Sequence, residues 1–65
     1  MKKTLKELRA EIKKEVPYVD FKPFSHNIIS ISLMIIAKDY GKEEANKAIR
    51  DLKLDELGWR EEHDK

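Results

Sequence analysis

Apolar residues near the amino terminus recur every three or four positions, which is the spacing of one face of an α-helix. The segment from Thr4 to Glu7 matches a capping box, in which the two side chains satisfy each other's backbone amides. Pro17 ends the pattern because it donates no amide hydrogen bond and disfavours helical geometry before it. We therefore predict a first helix between Thr4 and Pro17. Its apolar stripe consists of Leu5, Leu8, Ile12 and Val16.

The centre of the chain, Ile28–Ala37, contains no charged residue, although 42% of the whole sequence is charged. We predict a second helix over His26–Tyr40, with Ser25 as its cap and Gly41 at its end. Its apolar residues point in almost every direction, so we expect this helix to be buried on all sides. Because isoleucine is β-branched, a strand is the alternative for this segment.

A third amphipathic pattern follows Gly41 and predicts a helix that breaks near Lys53. Glu43 and Glu44 lie in its first turn, and Arg50 and Lys53 in its last, which suits the helix dipole at both ends. We expect a further short turn over Asp55–Leu57, capped by Asp55, after which Gly58 redirects the chain. The apolar positions of the third helix are Ala45, Ala48, Ile49 and Leu52.

The connection between the first two helices, residues 17–24, is unusually apolar for a loop. We expect it to pack over the core as a lid. A β-like edge that recruits a partner strand is the alternative, although two prolines argue against it. The anchoring side chains of the lid would be Tyr18, Val19, Phe21 and Phe24.

These patterns predict an all-α protein with three helices, a short C-terminal helical turn and a central apolar helix 2. We assign residues 1–59 to a single helical domain and residues 60–65 to a polar, frayed tail. A chain of 65 residues buries a small core, and without cysteine it has no disulfide to reinforce it. Oligomerisation is then the expected reinforcement.

The sequence shows no catalytic, cofactor or metal signature, and we expect a protein that is not an enzyme. His26 and Ser30 are one helical turn apart, but no glycine-rich elbow or orienting carboxylate accompanies them. His63 lies in the predicted tail, so it does not form a metal site with His26. The uncharged segment is too short to span a bilayer, and no signal peptide is visible, so we expect a cytoplasmic protein.

A basic row on the first helix keeps nucleic-acid binding open as the alternative function. The chain carries 14 basic and 13 acidic residues, whereas a dedicated nucleic-acid binder has a clear basic excess. An acidic row of Glu7, Glu11 and Glu15 lies on the opposite flank of the apolar stripe. The two rows can therefore also be solvated charge, or the charged edges of a contact between paired helices. A helix-turn-helix around Gly41 is disfavoured by its apolar register and by the glutamates after it. The basic row consists of Lys2, Lys6, Arg9 and Lys13.

Protein binding is the function that the pattern favours, with self-association as a homodimer first and a larger protein target as a further alternative. Helix 2 offers more apolar faces than two short amphipathic helices can cover. Trp59, the single tryptophan, either folds back on helix 2 or forms an exposed contact for a partner. The predicted interface residues are Ile31, Met34, Ile35 and Trp59.

Overall fold

The capping box at Thr4 starts the first helix in the structure, a computed structural model that describes residues 3–62. The Glu7 amide donates to the Thr4 hydroxyl at 3.1 Å, and the Glu7 carboxylate accepts from the Thr4 amide at 3.4 Å. The chain then forms α1 (Leu5–Glu15), a 3-10 turn (Val16–Tyr18), α2 (Pro23–Tyr40), α3 (Lys42–Asp51) and a second 3-10 turn (Leu54–Leu57). The described part of the chain contains no strand, which confirms the predicted all-α fold.

The second helix begins earlier than predicted, at Pro23 rather than His26. Proline suits the first helical position, because its fixed backbone angle is already helical and its missing amide has no partner to lose there. Ser25 is therefore inside the helix, and its assignment as the cap is wrong. It is 1% exposed, and its hydroxyl donates to Glu15 at 2.8 Å, which ties α2 to the end of α1.

Three of the described residues in the second half of the chain have positive φ, and two of them, Gly41 and Lys53, set the path of the chain around α3. Gly41, at φ 105° and ψ 154°, reverses the chain between α2 and α3 without a longer loop. Lys53, at φ 56°, follows α3 and turns Leu54 into the core, where it is fully buried. The short turn thus starts at Leu54, and the prediction that Asp55 caps it is wrong, because its N-cap is Lys53 and no side chain caps it.

The core forms where α2 packs against both α1 and α3. The apolar stripes predicted for α1 and α3 pack against opposite edges of the core, and one side of α2 forms its centre. Small Ala48, which is fully buried, leaves room for the large side chains of α2. The buried apolar residues are Leu8, Ile12, Ile29, Leu33, Ile36, Ala45, Ala48, Ile49 and Leu54.

The connection between α1 and α2 does not form the predicted lid. Phe21 is 82% exposed and Phe24 is 71% exposed, while Tyr18 is also exposed. Only Val19 packs against the core. The reason is the early start of α2, which places Phe24 on the helix surface. The alternative β-like edge is wrong as well, because this segment contains a 3-10 turn.

Candidate interaction surface

One side of α2 has no helix packed over it. The chain measures 33 × 32 × 16 Å, and this thickness accommodates only two layers of helices, since packed helix axes lie about 8–10 Å apart. Ile31 is 52% exposed and Met34 is 64% exposed on this side of α2. The expectation that helix 2 is buried on all sides is therefore wrong for the single chain.

The exposed apolar residues of α2 share one face. At 100° per residue, positions separated by four, seven and eleven residues lie on one line along a helix. Phe24, Ile31 and Met34 are exposed, and Ile28 and Ile35, on the same line as Phe24 and Ile31, are half-buried. We call this surface the outer stripe, and its residues are Phe24, Ile28, Ile31, Met34 and Ile35.

The structure brings together three of the four interface residues that the sequence predicts. Ile31, Met34 and Ile35 lie side by side in the outer stripe. Phe24 was missed, because the sequence interpretation placed it in a loop that packs on the core. The available signal was its spacing of seven residues from Ile31, combined with the preference of Pro23 for the first helical position.

Trp59, the fourth predicted residue, folds back onto α2. Its indole Nε1 donates to the Ser30 hydroxyl at 3.1 Å, and its ring stacks on His26 with 4.4 Å between the ring centroids. The side chain is partly buried and packs against the core cluster. It also lines, together with Met34, an open groove of about 330 Å³ between α2, α3 and the carboxyl-terminal segment. Trp59 thus borders the outer stripe instead of belonging to it.

The carboxyl-terminal segment is held on α3 by a side-chain amide. Asn46 is 4% exposed; its Nδ2 donates to the Glu62 carbonyl at 2.5 Å, and its Oδ1 accepts from the Glu62 amide at 2.8 Å. Arg50 pairs with Glu61 at 3.1 Å, and this hydrogen bond, followed by the charge of Glu61, raises the pKa of Arg50 above its ordinary value. Within the predicted frayed tail, Glu61 and Glu62 thus contact α3, whereas residues 63–65 lie outside the described residues.

We expect Asn46→Ala to lower the free energy of unfolding by about 1–3 kcal/mol, because two hydrogen bonds of about 0.5–1.5 kcal/mol each are lost. Chemical denaturation measures this loss, and hydrogen exchange of the Glu62 amide reports the contact directly. Asn27→Ala is the matched control, since Asn27 is exposed on α2. If the Glu62 amide stays protected in Asn46→Ala, this contact does not hold the segment.

The basic row predicted on α1 is only partly available to a ligand. Arg9 donates to Asp51 at 2.9 Å across the gap between α1 and α3, while Lys6 and Lys13 are exposed. The acidic row on the opposite flank of α1 makes contacts inside the chain, since Glu11 pairs with Lys3 at 2.6 Å and Glu15 accepts from Ser25. Lys2 lies outside the described residues. The structure thus gives a structural role to one member of the row.

The residues considered for chemistry have structural partners. Ser30 and His26 both contact Trp59, and Ser25 binds Glu15. Between residues 3 and 62 no group of three or more histidine and carboxylate side chains is placed to hold a metal ion, and His63 lies outside this range. In the same range, no helix is long and apolar enough to cross a lipid bilayer.

Comparisons with protein families, with curated proteins and with solved structures found no match to this chain. The function must therefore be argued from the surface of the molecule. Its most distinctive feature is the outer stripe, because a row of large apolar side chains exposed together marks an interaction site more often than scattered single residues do.

Proposed function

We propose that this protein is a small, non-enzymatic interaction module that self-associates through the outer stripe of α2. The observation that carries the proposal is the joint exposure of Phe24, Ile31 and Met34, at 71%, 52% and 64%, on the central helix. A soluble domain of this size gains stability by covering such a row. The lack of cysteine also fits a reducing compartment such as the cytosol.

The expected association is moderate in strength. Burying a Phe, Ile or Met side chain completely contributes about 1.5–3 kcal/mol. Scaled by the exposed fractions of the three residues, this gives about 8 kcal/mol for two copies. Association costs about 4–15 kcal/mol in lost rigid-body freedom, so the half-buried Ile28 and Ile35 and the polar rim must add to the contact. We therefore expect a dimer that dissociates on dilution.

Sedimentation equilibrium across low micromolar to millimolar concentrations tests the proposal. The native chain should shift from monomer to dimer, and Ile31→Lys should remain monomeric because it places a charge in the middle of the stripe. Far-UV circular dichroism checks that the variant folds, as we expect for an exposed position. Ala10→Lys is the matched control, since it adds the same charge to an exposed helical position on α1. A native chain that stays monomeric at millimolar concentration would refute self-association.

A further inference from the structure

We propose that the occupant of the outer stripe is the α2 helix of a second copy, packed antiparallel, with Phe24 opposite the partner's Ile35 and Ile28 opposite the partner's Ile31. This inference rests on the proposed self-association and specifies its geometry. The stripe residues Phe24, Ile28, Ile31 and Ile35 repeat at alternating intervals of four, three and four residues. Such intervals are those of a helix that packs lengthwise along another helix.

The stripe is self-complementary in this register. A two-fold axis between Ile28 and Ile31 makes every apolar residue on the central line face an apolar residue of the other copy. Met34 lies to one side of this line, where it approaches the partner's Phe24, and sulfur–aromatic contacts of this kind are favourable. All three exposed large apolar residues of α2, at 71%, 52% and 64%, are covered together.

The antiparallel direction follows from charge and from the helix dipole. In a parallel pair, Lys38, which is exposed in the last turn of α2, would lie beside the partner's Lys38, and the two helix dipoles would align. The antiparallel pair separates the two lysines and opposes the dipoles.

A shift of the register by one helical turn is less favourable. It places Ile31 opposite the partner's Ile31, but it moves Phe24 opposite the partner's Lys38. It also sets Asn27 opposite the partner's Ile35. Two apolar residues of each copy then face polar side chains. The shifted arrangement therefore makes fewer apolar contacts than the proposed register does.

Cysteine cross-linking tests the geometry directly, because the native sequence contains no cysteine. Phe24→Cys and Ile35→Cys are prepared as separate proteins, mixed at equal concentration under mild oxidation, and analysed by intact mass. A disulfide needs Cα atoms closer than about 7 Å. In the proposed register the two copies of each position lie about 16 Å apart along the helix axis, at 1.5 Å per residue. Position 24 and the partner's position 35 lie side by side.

We expect the mixed disulfide in large excess over its statistical share, and little cross-linking of either variant alone. Lys47→Cys, exposed on α3, is the control for random collisions. Met34→Cys, at an exposed position next to Ile35, replaces Ile35→Cys if that variant fails to fold, and it should also link to Phe24→Cys. Circular dichroism establishes folding for each variant.

The other outcomes separate this inference from the proposed function. Efficient disulfides in each single variant would show a parallel pair and overturn the inference. Absence of all cross-links above the Lys47→Cys level, in a native chain that sediments as a dimer, would place the contact elsewhere and also overturn it. A native chain that stays monomeric would refute both the geometry and the self-association.

Discussion

Ile36→Ala is expected to lower the free energy of unfolding by about 2–5 kcal/mol, the usual cost of truncating a buried isoleucine. Ile36 is fully buried on the inner side of α2. At about 0.05–0.15 kcal/mol per residue, a chain of this length has only about 3–10 kcal/mol in total. The variant should therefore be largely unfolded, or should unfold at much lower denaturant concentration, when urea denaturation is followed by far-UV circular dichroism.

Ile31→Ala is the matched control on the same helix, because it makes the same substitution at a position that is 52% exposed. At concentrations where the native chain is monomeric, we expect Ile31→Ala to change the stability by less than about 1 kcal/mol, since little buried volume is lost. At concentrations where the dimer forms, the same variant should weaken association. Equal losses for the two variants in the monomer would contradict the assignment of inner and outer sides of α2.

Gly41→Ala is expected to cost about 1–3 kcal/mol through the backbone alone, because φ 105° with ψ 154° is a conformation that side chains other than glycine rarely tolerate. Apart from the two adjacent residues, no atom lies within 4 Å of the position that a Cβ would take, so contact with the rest of the fold does not add to this cost. If the variant instead adopts a different backbone conformation between α2 and α3, the packing of α3 is disturbed. Thermal denaturation measures the loss.

Asp39→Ala provides the comparison for this effect. Asp39 is exposed in the last turn of α2, where a negative charge is unfavourable to the helix dipole, so alanine should leave the stability unchanged or raise it slightly. A Gly41→Ala variant as stable as Asp39→Ala would show that the chain reversal does not depend on the glycine conformation.

Local patterns in the sequence were sufficient to predict the two amphipathic helices, α1 and α3, and the face that each one buries. In α1, the capping box and the spacing of Leu8 and Ile12 fix both the start and the buried face, and the structure confirms them. In α3, the spacing of small apolar residues among charged ones likewise predicts which face of the helix is buried. The break near Lys53 is also confirmed, because Leu54 departs from the helical spacing and the chain must turn to bury it.

The start of α2 and the loop before it were predicted incorrectly for a physical reason. Ser25 has the chemistry of a cap, but Pro23 is already suited to the first helical turn, and Glu15 offers the serine hydroxyl a partner from α1. The choice depends on an acceptor ten residues away in sequence. The exposure of Phe24 follows from this earlier start, so the candidate surface could be predicted only in part.

Short-range features of the sequence specify three helices with the middle one as the apolar centre, because spacing, caps and charge act over a few residues. Which side of α2 is buried depends on the packing of the other two helices. When large apolar residues surround most of a helix, their spacing does not indicate which side is buried. The side of α2 that stays exposed is therefore set by where α1 and α3 pack. Those positions depend on Gly41, on the Ser25–Glu15 contact and on the Arg9–Asp51 pair, which joins residues far apart in the chain.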